Sequence, residues 1–147
     1  MERLKLKLPE KKLFETQHTL RIDDMNYGGH LSNDKVLAIF HDMRVQWLKE
    51  YGFSELKAFG SSLIMTDSQV QYRAEGFQGD QLDSTLLLGE IGNTGFELYY
   101  LLVRKSDQKE IARGKTGMAF FDYDARKVAR IPDEFTKYIE GISYGTD

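Results

Sequence analysis

Apolar residues follow two different periods along this chain, and the change of period divides it. Over residues 13–22, Phe14, Thr16, His18, Leu20 and Ile22 alternate with Glu15, Gln17, Thr19 and Arg21, as in a half-buried strand. Val36, Leu37, Phe40, Met43, Arg44, Trp47, Leu48 and Tyr51 then recur at helical spacing, and Ile39 and Val45 widen the stripe. Ser32 is placed to cap this helix, Asp34 sits in its first turn, and Gly52 ends it. A stripe this broad predicts a helix covered on most sides. After Ser61 the pattern returns to period two or to continuous β-type runs, predicting strands at 62–74, 81–91, 96–105 and 110–122. Turn-forming stretches at 75–80, 92–95 and 106–109 separate them. A weaker helical turn is expected at 54–59 and a short helix at 134–139, beyond the Pro132 that ends the last strand.

This order predicts an α+β fold in which a five-stranded antiparallel sheet wraps around one long central helix. One domain is expected across residues 1–147, with its core at about 13–135. A single helix cannot cover every strand, so a homo-oligomer, a homodimer or homotetramer, is expected to complete a larger sheet.

Composition narrows the chemistry. The chain has 147 residues, 41% of them hydrophobic and 29% charged, enough apolar material for one core without covalent staples. The formal net charge of −3 supplies no basic field for nucleic acid. There is no cysteine, which excludes disulfides, thiolate metal sites and a cysteine nucleophile. The first twelve residues alternate Leu with Lys and lack the continuous apolar stretch of a secretory signal. No apolar run is long enough to span a membrane, and a cytoplasmic location is expected.

Polar chemistry is concentrated where the first strand meets the helix. Between Asp23 and Asp34 lie three carboxylates, two carboxamides, an imidazole and the Gly28-Gly29 pair. Glycine permits unusual backbone angles and close approach, and a helix start offers amide donors without intrahelical partners. Such a corner suits a carbonyl oxygen that becomes an anion. Each residue also has a structural role open to it: Asn26 and the glycines can simply form the turn, Ser32 a cap, and His18, His41 and Asp42 ordinary packing contacts. No histidine pair has helical ligand spacing and no phosphate-loop pattern follows the first strand, so neither a metal nor a nucleotide cofactor is expected.

The run Asp24-Met25-Asn26-Tyr27-Gly28-Gly29-His30-Leu31-Ser32-Asn33 leads into Arg44-Val45-Gln46-Trp47-Leu48, followed later by Tyr72 and Gly79-Asp80. This succession resembles the hotdog-fold acyl-CoA thioesterases, the broad 4-hydroxybenzoyl-CoA thioesterase superfamily, across about residues 13–135. The resemblance implies a thioesterase that hydrolyses an acyl-CoA or acyl carrier protein thioester, with coenzyme A entering only as part of the substrate. Asp24, Asn26 and His30 are the implied catalytic residues. Tyr27, Gly28, Gly29, Asn33 and Thr66 are implied at the substrate, Thr66 with Asp67 across a subunit contact. In this assignment the amide of Gly29 or His30 polarises the carbonyl, His30 orients the thioester or activates water, and Asp24 is the base. Asp34 is a second candidate for the base. Asn26 departs from the aspartate that many of these enzymes carry there, and a carboxamide cannot take a proton. Two other functions therefore stay open: an enoyl-CoA hydratase or dehydratase of the same fold, and a non-catalytic acyl-CoA-binding domain. Of the later basic residues, including Arg104, Lys105, Arg113 and Lys115, a few are expected at the phosphates of coenzyme A and most in solvent.

Overall fold

The computed structural model describes the backbone of residues 1–145 and side chains to residue 142. Strand β1 (Lys12–Thr19) leads through a 3-10 turn (Ile22–Asp24) to helix α1 (Asn33–Glu50). Strands β2 (Ser62–Tyr72), β3 (Gln81–Ile91), β4 (Gly95–Arg104) and β5 (Glu110–Asp122) follow, then a two-residue strand β6 (Lys127–Val128) and helix α2 (Asp133–Gly145). All pairings are antiparallel, in the order β1-β3-β4-β5-β2, with β6 added to the end of β5.

The sheet is thus six-stranded rather than five-stranded, and a second helix joins the first. The sixth strand was hidden because Lys127 and Val128 are too few to show a period. The helical turn expected at 54–59 is absent. Bridges between Ser54 and Lys57 and between Ala58 and Ser61 fold that segment into tight turns, helped by positive φ at Phe59 and Gly60. The first strand stops at Thr19, earlier than its alternation suggests, because Leu20 leaves β3 to bond Gly79 and Asp80.

Helix α1 lies on the inner face of the sheet. Phe40 stacks on Tyr100 of β4 at 4.3 Å between centroids, and Trp47 meets Phe96 edge-on. Gly114 of β5 allows the approach, since a Cβ there would run into the Phe40 ring. Helix α2 closes the far end, placing Phe135 among Phe59, Phe96 and Phe120, while Tyr138 accepts a 2.9 Å hydrogen bond from Trp47 Nε1. Arg44 belongs to the apolar stripe by position and is buried, donating from Nη1 to Tyr100 Oη at 3.1 Å. No helix among the described residues is long and apolar enough to cross a membrane.

A polar strut ties α1 to the β1 edge. His18 lies 3.0 Å from Ser84 Oγ through Nδ1 and 2.8 Å from Asp42 Oδ2 through Nε2, and Gln46 donates to the same carboxylate oxygen at 2.6 Å. Partial burial pushes the Asp42 carboxyl up, but the bonds from His18 and Gln46 outweigh it and hold its pKa below the usual carboxylate range. A depressed carboxylate stabilises the fold above its unfolded pKa and loses that contribution as pH falls through the folded value. Urea titrations below about pH 4 should therefore show stability falling more steeply for wild type than for Asp42→Asn. Equal slopes would remove the strut from the account.

Candidate functional site

The bend between β1 and α1 is a small closed hairpin. Met25 bridges to Leu31, and Asn26 N–H donates to His30 O at 2.9 Å. Asn26 organises the interior. Its Oδ1 accepts from Gly28 N at 2.9 Å and His30 N at 3.3 Å, and its backbone oxygen accepts from Gly29 N at 3.0 Å. Gly29 has φ +83°, and a side chain on Gly28 would crowd Asn26 Oδ1 and His30 Nε2. The two glycines are thus required for different reasons, one by backbone angle and one by proximity.

With Asn26 Oδ1 fixed as an acceptor, its Nδ2 is the group facing His30 Nδ1, at 3.5 Å. Nδ1 is then the acceptor of the neutral ring, and Nε2 carries the proton. An aspartate at position 26 would select the other tautomer, so the departure from the family's pattern has a geometric meaning. On the far side of the ring, Nε2 lies 4.0 Å from Glu75 Oε1. Glu75 comes from the segment after β2, which Leu31 N–H holds in place by a 2.7 Å bond to Gly76 O.

His30 and Glu75 open into a hollow of about 280 Å³. Leu31, Val36, Ala74 and Ile111 give it an apolar floor, and Asn33 and Tyr72 share its polar rim. Tyr72 Oη donates to Asn33 O at 3.4 Å. Of the amides at the start of α1, that of Ser32 donates to Asp24 O at 3.0 Å and that of Lys35 to Ser32 O at 3.1 Å. The Ser32 hydroxyl does not cap them: it donates to the Asp34 carboxylate, whose pKa this bond lowers.

The residues singled out in the sequence are only partly gathered. Asn26, Gly28, Gly29, His30 and Asn33 meet at this corner. Tyr27 points fully into solvent at the tip of the turn. Asp24 is turned away. Its carboxylate accepts from Arg21 N at 2.8 Å, and it lines a separate hollow of about 240 Å³ with His18, Lys35 and Asp42. The amides of Gly29 and His30, expected at a substrate oxygen, are bonded to Asn26. Thr66 and Asp67 lie over Gly117 on the outer face of the sheet, where Gly117 N–H donates to Asp67 Oδ1 at 3.0 Å. Glu75 was legible only as a turn residue. Its signal is that it lies three residues after Tyr72, just past the end of the strand.

Three of the basic residues are already paired: Arg104 with Asp80 and Asp107, Arg113 with Glu110, and Lys115 with Glu97. Among the described residues no three His, Asp or Glu side chains gather closely enough to hold a metal ion.

An antiparallel sheet curled on one helix, with a polar corner at the helix start, defines the hotdog class of folds. A family model described as the thioesterase-like superfamily matches residues 20–139, and the chain belongs to that superfamily. Solved structures agree in fold. A hypothetical protein from Staphylococcus aureus, solved in complex with CoA, is similar with a TM-score of 0.81 at 18% identity, covering 97% of this chain and 90% of its own. A predicted thioesterase from Bacillus stearothermophilus gives 0.77 at 21% identity, with coverages of 87% and 94%. A 1,4-dihydroxy-2-naphthoyl-CoA thioesterase from Synechocystis gives 0.75 at 19%, with coverages of 84% and 92%. No curated protein sequence matches the chain.

Proposed function

We propose that this protein is an acyl-CoA thioester hydrolase whose reacting groups are His30 and Glu75, with Asn26 as the residue that aims His30. The observation that carries the reading is the 4.0 Å approach of His30 Nε2 to a carboxylate at the mouth of an apolar-floored hollow beside a helix start. The CoA complex of the Staphylococcus aureus relative and the named activity of the Synechocystis one support the substrate class.

In this mechanism the Glu75 carboxylate takes a proton from water as the water oxygen bonds to the thioester carbon. His30 Nε2–H receives the carbonyl oxygen as it becomes an anion. Collapse of that intermediate breaks the carbon–sulfur bond, and the proton held by Glu75 passes to the leaving thiolate. The products are a free acid and a thiol. No step needs a metal or redox cofactor. Asn26 is a positioning residue here, because the tautomer it selects puts the only ring proton on the substrate side.

Purified protein offered acyl-CoAs of graded chain length should release thiol, read with a chromogenic thiol reagent. His30→Ala should cut that rate at least about a hundredfold with an unchanged circular dichroism spectrum. No release by the wild type with any chain length would defeat the proposal. Tight acyl-CoA binding without release would favour a binding domain, and water addition to enoyl-CoA a hydratase.

A further inference from the structure

The stretch between β2 and β3 is fastened through its backbone, while the carboxylate of Glu75 is left free to face His30. The amides of Arg73 and Ala74 both donate to Ile111 O, at 2.9 and 3.2 Å. Gly76 O accepts from Leu31 N, and a Cβ on Gly76 would run into Leu20 and Leu31. Phe77 N–H donates to the Asp80 carboxylate at 2.9 Å, and Leu20 N–H donates to Asp80 O at 2.9 Å. Between these fixed points lies the Glu75–Gly76 peptide, and glycine on its far side gives it wide freedom to rotate. Arg104 removes that freedom: its Nη1 donates to Glu75 O at 3.0 Å.

Arg104 ends β4 and is itself held rigidly. Its side chain is 12% exposed. Nε and Nη2 form a two-pronged pair with the Asp107 carboxylate, at 3.1 Å each, and Nη1 also donates to Asp80 Oδ2 at 3.0 Å. Four of the five guanidinium N–H groups are thus engaged. Asp107 is fixed in the β4–β5 turn by a 3.1 Å bond from Lys109 N–H. The fork therefore refers the Glu75 carbonyl to the end of the sheet. A lysine, with a point charge and no fork, could not hold both carboxylates and this oxygen in one plane.

His30 and Glu75 come from separate segments and approach at 4.0 Å. Leu31 and Arg104 hold successive carbonyls, of Gly76 and Glu75, and so fix one segment against the other. Such placement matters, since a shift of about 1 Å between reacting groups can cost about a hundredfold in rate.

We infer that Arg104 is a positioning residue: by holding the Glu75 carbonyl it aims the Glu75 carboxylate at the His30 hollow. The aiming role rests on the thioester-hydrolase reading, and the clamp does not. Amide exchange tests the clamp. In Arg104→Met the amides of Leu31 and Phe77 should exchange at least about tenfold faster, while those of Leu98 and Tyr100 keep wild-type rates. Unchanged exchange at Leu31 and Phe77, or equal acceleration throughout β4, overturns the clamp whether or not the protein is an enzyme. Kinetics with the acyl-CoA that wild type hydrolyses best test the aiming. Arg104→Met should lower kcat by about 10–100-fold and leave KM within about twofold. A rise in KM alone would mean that the guanidinium serves the substrate's phosphates, and overturns the role. In a Glu75→Gln background the same exchange should cost less than about threefold more, because the carboxylate it aims is gone. Losses that multiply overturn it. Should Arg104→Met fail to fold, Asp107→Ala loosens the fork without touching Glu75 and should give the same pattern at smaller size; an unchanged kcat there overturns the role. Glu75→Gln as fast as wild type defeats the base assignment and the aiming with it, and local exchange as stated would leave the clamp standing.

Discussion

Glu75→Gln should lower kcat for thioester hydrolysis by about 10²–10⁴-fold while leaving the fold intact, the range expected when a general base is removed. The exchange keeps size and shape and removes the negative charge, and with it the ability to take a proton. The Glu75 side chain is more than half exposed, and the 3.0 Å bond that Arg104 Nη1 donates to Glu75 goes to its backbone oxygen, which the exchange keeps, so stability should change little. Asp24→Asn provides the contrast. Asp24 sits in a different hollow and its carboxylate braces Arg21 N. That variant should stay within a few-fold of wild type. Measured with saturating substrate, the two rates decide between the carboxylates. A severe loss for Asp24→Asn with little loss for Glu75→Gln would reverse the assignment.

Trp47→Ala should be the most destabilising of the truncations discussed, at about 3–5 kcal/mol, with Tm lower by roughly 10 °C or more. Trp47 is completely buried, touches Phe59, Phe96 and Tyr138, and joins α1 to α2 through Tyr138. Truncation leaves a cavity between two helices and the sheet and removes the indole donor to the Tyr138 hydroxyl. Trp47→Phe keeps most of the volume and should cost about 1 kcal/mol, mainly through the lost bond to Tyr138. Urea denaturation of both variants separates volume from hydrogen bonding. Similar losses for the two would mean that packing around the indole contributes little.

Much of the fold was legible because its signals are local and long. The predicted strand at 81–91 matches β3, and the predicted helix matches α1 to within a residue or two, since Val36 to Leu48 hold their period over several turns. What was missed depended on distant contacts. Residues 54–59 carry helix-compatible residues, yet Glu55 is drawn away to His41, 2.6 Å from its Nε2. The site divides in the same manner. Asn26, Gly28, Gly29 and His30 are close in sequence and closed by their own hydrogen bonds, so their grouping could be read directly. The carboxylate could not. Asp24 and Asp34 were nearer in the chain, but the capping bond of Asp24 and the Ser32 bond of Asp34 engage both locally. Glu75 reaches the ring only because the segment after β2 docks on Leu31.

The bonds that Asn26 makes inside its turn mean that the imidazole is oriented before any substrate arrives. The ordering entropy of that loop is met during folding, leaving less of the ligand's interaction energy to be spent on arranging the reacting groups. Amide exchange at Gly28 and His30 should accordingly be slow in the unliganded protein and scarcely slower when product is bound.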